Sequence, residues 1–129
     1  MPFALYDHVS AHGENEIAAW TRDLQTRDRA KLANRLDMLH QLGLALLPEI
    51  LTGTDTPGIL KLRVRGNVQL RPMLCKGPIG MNEEFTLLLG AKEVGGKLVP
   101  RRADALADDI RQAVEADPAN RRKEHEHVR

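Results

Sequence analysis

Residues 60–71, Leu-Lys-Leu-Arg-Val-Arg-Gly-Asn-Val-Gln-Leu-Arg, alternate apolar and polar side chains on both sides of a turn-forming pair. A period of two marks strands with one face in a core, here with a basic opposite face. A two-residue loop at Gly66-Asn67 would pair Arg65 with Val68 and set Arg63 on the face of Leu70, driving charge into the core. A three-residue loop, Arg65 to Asn67, pairs Val64 with Val68 and Leu62 with Leu70, with Asn67 in the left-handed region. The expected register therefore sets Lys61 opposite Arg71 and Arg63 opposite Gln69. Pro72 has no N–H, so an unpaired or bulged position is expected beside it.

Upstream, the period changes. Residues 3–9 read as a first strand, and Ile17, Trp20 and Leu24 recur at the spacing of a buried helix face. The stretch from Thr26 to Asp28 offers cap side chains to a second helix, whose stripe is Leu32, Leu36 and Leu39 and whose end is Gly43. A short connection makes the two a helix hairpin. Residues 44–58 are rich in turn formers and read as irregular.

Downstream, a polar loop from Lys76 to Glu83 leads to residues 85–89, an apolar run expected of a strand buried on both faces. Gly95-Gly96 marks a turn before Lys97 to Pro100. A last helix is expected over 103–115, with Leu106, Ile110, Ala113 and Val114 inward and Asp117-Pro118 as its stop. The predicted fold is thus α+β: a single small domain over residues 1–117, with a strand and helix hairpin on a mainly antiparallel sheet plus a C-terminal helix. Residues 118–129 are expected to form a charged tail, mobile or solvated.

A length of 129 residues suits one domain, and 42% apolar with 29% charged residues is ordinary for a globular chain. No apolar run nears the ~20 residues of a membrane span, and the first twenty residues lack the pattern of a secretory signal. With the lone Cys75, this points to a reducing cytoplasm. Neither a metal nor another cofactor is expected, because one cysteine and scattered histidines make no ligand pattern. A net charge of +1 requires any RNA-binding surface to arise from local segregation of charge. The aromatics are only Phe3, Tyr6, Trp20 and Phe85, which argues against base stacking on an aromatic platform.

The candidate chemistry lies on the basic strand face. Lys61, Arg63 and Arg71, joined by Lys92 after the next strand, repel one another unless an anion lies between them. A phosphodiester is such an anion, and guanidinium groups match its oxygens. The alternative is an ordinary sheet wearing polar residues on its wet side. The histidines carry little: His8 and His12 read as surface groups, His125 and His127 as tail, and His40 as exposed or a partner contact. Trp20 reads as a core anchor between the helices, and Cys75 as a small core residue.

The order of elements resembles the RelE/HigB toxin superfamily, in particular its phage-derived HigB-like branch. The resemblance rests on Leu32, Leu36, Leu39 and Gly43, on Pro48 to Leu51 with Gly53, and on Leu60 to Val64. Leu70-Arg71, Leu87 to Gly90 with Lys92, and Lys97 to Pro100 complete it. It implies a ribosome-dependent mRNA endonuclease that cleaves by metal-free attack of a ribose 2′-hydroxyl and is neutralised by a helix-turn-helix antitoxin. By the same resemblance Arg63, Arg71 and Lys92 are the catalytic candidates, with Lys61, Arg65 and Gln69 as RNA-binding neighbours. Ala91 stands where the family commonly has an aromatic residue, and no His or Tyr falls near the expected site. Two other readings stand beside the toxin. One is a non-catalytic phage or prophage accessory protein that keeps the fold for RNA or protein binding. The other is a co-repressor acting on DNA only within an antitoxin complex.

Overall fold

The computed structural model describes residues 2–128. Strand β1 (Ala4–His8) leads into helix α1 (Glu16–Arg22), which Asn15 caps by accepting the Ala18 N–H at 3.0 Å. Helix α2 (Thr26–Leu42) ends at Gly43, whose φ of 51° only glycine adopts without strain. A 3-10 turn (Gly43–Leu46) then gives way to β2 (Leu51–Gly53), so the stretch expected to be irregular supplies an edge strand.

Strands β3 (Leu60–Leu62), β4 (Gln69–Leu70), β5 (Met73–Lys76), β6 (Glu84–Leu89), β7 (Lys92–Val94) and β8 (Lys97–Val99) follow. Helices α3 (Ala103–Ala116) and α4 (Pro118–Arg121) and strand β9 (Arg122–Glu124) complete the chain. The main sheet runs β2-β3-β5-β6-β1-β9, with only β1 and β6 parallel, and a smaller sheet runs β4-β7-β8. The α+β class is as the sequence predicts.

Two apolar layers flank the main sheet. Ile17, Leu32, Leu36 and Leu39 of the helix hairpin pack on Leu62, Val64, Leu74, Phe85 and Leu87. Ala103, Ala107 and Val114 of α3 cover Met73, Cys75 and Leu88 on the other face. This explains the almost unbroken apolar run in β6, interrupted only at Thr86: Phe85 and Leu87 enter one layer, Leu88 the other.

Two expectations are corrected. The hairpin register is shifted by two residues: Val64 pairs with Leu70, Lys61 with Met73 and Leu60 with Leu74. The loop therefore spans Arg65 to Gln69, held by the Gln69 amide donating to the Gly66 carbonyl at 2.9 Å. Asn67 is not left-handed, since Arg102 is the one non-glycine with positive φ among the described residues. As expected, pairing is irregular at Pro72: β4 and β5 are separate strands, and the register with β6 shifts between Met73 and Leu74.

The second correction concerns the tail. The residues from Pro118 to Val128 are built into the fold, while Arg129 lies outside the described residues. Strand β9 pairs antiparallel with β1, setting Tyr6 opposite Glu124 and His8 opposite Arg122. Arg122 stacks over the Tyr6 ring, 3.8 Å from its centroid, and pairs with the carboxylate of buried Glu84. Polar composition misleads here because the strand is anchored by ion pairs and ladder bonds in place of apolar burial.

Candidate anion-binding site

The register shift decides which cations meet. Leu62 N donates to Pro72 O, and Val64 and Leu70 exchange both backbone bonds. The pair between them, Arg63 and Arg71, therefore occupies a non-hydrogen-bonded position, where facing side chains lie closest. Like charges placed so oppose folding unless something offsets them. Glu93 of β7 supplies part of the offset, with its carboxylate 3.8 Å from the Arg71 guanidinium.

Arg71 itself is only 6% exposed. Its Nη1 donates to the Leu70 carbonyl at 2.8 Å, and its Nη2 lies 3.5 Å from the Gln69 side-chain oxygen. Burial lowers its pKa from the ordinary guanidinium value; Glu93 opposes that shift, while Arg63 and Arg65 add to it. Arg71 is thus a fixed charge beneath the surface, not a residue that reaches out to a ligand.

Arg63 and Arg65 reach the surface. With Arg35 of α2, Glu49 and Ile50 they line an open recess of about 200 Å³. Among the described residues, none of these three arginines has a carboxylate within ion-pair distance. The Lys31 side chain lies against Gly66 at the base of the adjoining loop. Three guanidinium groups from two elements, with Arg71 behind them, make a concentrated positive field that suits an anion with several oxygens.

The other candidate residues are dispersed. Lys92 pairs with Leu70, so it stands on the helix-hairpin side of the sheet, and Glu93 takes the place beside Gln69 and Arg71. Lys61 lines a different recess, with Asp55 and Asp104. Gln69 serves the loop and Arg71. No local sequence pattern marks Arg35 or Glu49; Arg35 reads as an ordinary solvated helix residue, and Glu49 lies in the segment read as irregular.

Cys75 is 2% exposed, and burial pushes its thiol up to about 12, far from a nucleophilic thiolate. No cluster of metal-ligating side chains occurs among the described residues, and no helix is long and apolar enough to cross a membrane. No protein-family model, curated protein or solved structure matches the chain.

Proposed function

We propose that the chain is an RNA-binding toxin of the RelE/HigB kind, acting in the cytoplasm on mRNA in the ribosome and held in check by a helix-turn-helix antitoxin. The observation that supports it is the recess in which Arg35, Arg63 and Arg65 converge, none of them ion-paired among the described residues, with Arg71 buried behind. A phosphodiester placed there meets guanidinium donors suited to its oxygens and to the added charge of a pentavalent intermediate.

Among the described residues Glu49 is the one carboxylate lining the recess, and it gives this reading a proton acceptor. A ribose 2′-oxygen attacks phosphorus as its proton passes to Glu49. The bond to the 5′-oxygen then breaks, and that oxygen takes a proton from water. The products are a 2′,3′-cyclic phosphate and a 5′-hydroxyl end, with no metal or redox partner consumed.

Among the described residues, the recess lining contains no imidazole or phenol to protonate the departing oxygen. That favours the second reading, an accessory protein that binds RNA without cutting it. One experiment separates the two. The wild type, Arg63→Ala/Arg65→Ala and Glu49→Gln are induced in cells, and the 5′ ends of a translated reporter mRNA are mapped. Cleavage by the wild type, lost in both variants while Glu49→Gln keeps its RNA affinity, supports the enzyme. Intact growth and no new ends, with RNA still bound in vitro, leave binding alone. Failure of the wild type to bind RNA overturns both.

A further inference from the structure

A second recess lies at the opposite edge of the main sheet, where β1 and β9 pass beneath α2. It measures about 280 Å³, and its lining includes Leu5, Leu36, Asp37, His40, Glu124 and His125. The sheet order places β1 and β9 at one end and β3 toward the other, so this recess is separate from the arginines.

Two of its three imidazoles, His40 and His125, are held by their inner nitrogens, and the third, His127, packs edge-on to His125 with ring centroids 5.2 Å apart. His40 Nδ1 lies 2.7 Å from the Phe3 carbonyl oxygen, which only accepts, so Nδ1 carries the hydrogen. His125 Nδ1 lies 2.7 Å from Oδ1 of Asp7, a fully buried carboxylate. The other Asp7 oxygen accepts from the Asn15 amide and the Glu126 N–H, each at 2.9 Å. Three donors converge on Asp7, so it acts as an anionic acceptor and His125 also carries its hydrogen on Nδ1.

With Nδ1 carrying the hydrogen, Nε2 is the lone-pair acceptor in the neutral form of either ring. Neither Nε2 has a hydrogen-bond partner among the described residues, and neither is a buried orphan. Asp37 and Glu124, both exposed, add two carboxylates with no cationic partner among the described residues. The recess thus offers acceptors of two kinds beside the apolar walls of Leu5 and Leu36.

The geometry points to a binding site for an alkyl-guanidinium or alkyl-ammonium group, whose N–H donors meet the carboxylates and Nε2 atoms while its stem lies on the leucines. The group belongs to a basic side chain of a partner peptide or to a free alkylamine. The two sources share this chemistry, and the site is independent of the RNA reading.

The test is titration of the full chain, watched through its imidazole nitrogen resonances. Three probes are used: agmatine, a blocked pentapeptide with a central arginine, and the same peptide with citrulline. Saturable shifts of the His40 and His125 Nε2 signals by agmatine or the arginine peptide are expected. Binding should weaken at least about tenfold in Asp37→Asn/Glu124→Gln, since two charge-assisted bonds are lost. Those substitutions are at exposed positions, and an unchanged unfolding midpoint verifies the fold. Tighter agmatine binding identifies a free amine, and tighter peptide binding a partner side chain. Equal shifts with citrulline, no saturation with any probe, or wild-type affinity in the double variant overturns the assignment.

Discussion

The His125 imidazole donates Nδ1–H to the Asp7 carboxylate at 2.7 Å, joining the segment after the last strand to the first strand across 118 positions of sequence. Asp7 has no exposure and carries two further donors, so its loss leaves three polar groups without their acceptor. Asp7→Ala is expected to cost about 3 kcal/mol, and His125→Gln about 1 kcal/mol, because only one bond is then disturbed. Urea midpoints followed by far-UV circular dichroism give both values, and equal losses would remove Asp7 from its central place.

Arg63 and Arg71 face each other across two strands, but their expected contributions differ. Arg63→Ala removes a surface charge from the recess, so on the proposed RNA-binding reading RNA affinity should fall about threefold to tenfold and the salt slope by about 0.7, with little change in stability. Arg71→Ala should cost about 1–3 kcal/mol, since it strips Glu93 of its partner and removes one of the two donors to the Leu70 carbonyl. Lys92→Ala, on the other face, should leave RNA affinity within about twofold. Filter binding over a range of salt, paired with thermal unfolding, distinguishes the three.

Periodicity fixes faces better than partners. The alternation at 60–64 correctly predicts Leu62 and Val64 inward, and a slip of two residues preserves that face while changing every cross-strand neighbour. Turn chemistry at Gly66-Asn67 favours a short loop, yet the observed loop runs to Gln69, whose amide bonds Gly66. Arg35 and Glu49 join Arg63 only through tertiary packing, which no local pattern encodes. Composition misleads over residues 118–128 for a related reason. Arg122, Glu84, His125 and Asp7 are polar one by one and become interior groups only as pairs.

His8, read from sequence as a surface group, is 3% exposed, and its Nδ1 has no partner among the described residues. Burial lowers its pKa from the ordinary 6.5; Glu16 opposes the shift and Arg121 adds to it. The unfolded chain therefore takes up this proton first as pH falls. The stability linked to His8 is complete above about 6.5 and is lost as pH drops through that value toward the lower folded one. In His8→Gln, which keeps a polar group near Arg121, stability should change less between about pH 7 and about pH 5 than in the wild type. Urea midpoints at each pH provide the comparison, and parallel curves would show that His8 contributes nothing.

Gly90 closes β6, and a Cβ built there would fall within the Trp20 indole. The ring of a half-buried core residue thus lies flush on bare backbone, a contact that any side chain at position 90 would displace. Gly90→Ala should cost about 1–3 kcal/mol through overpacking, although alanine otherwise suits a strand end better than glycine. Trp20→Leu should cost a similar amount by leaving a void. Because each change relieves the other's fault, the double variant should be more stable than the sum of the single losses implies, by about 0.5–3 kcal/mol. Simple additivity in a thermal-unfolding cycle would mean that Trp20 moves aside freely and that the glycine serves the strand's exit, not the packing of α1.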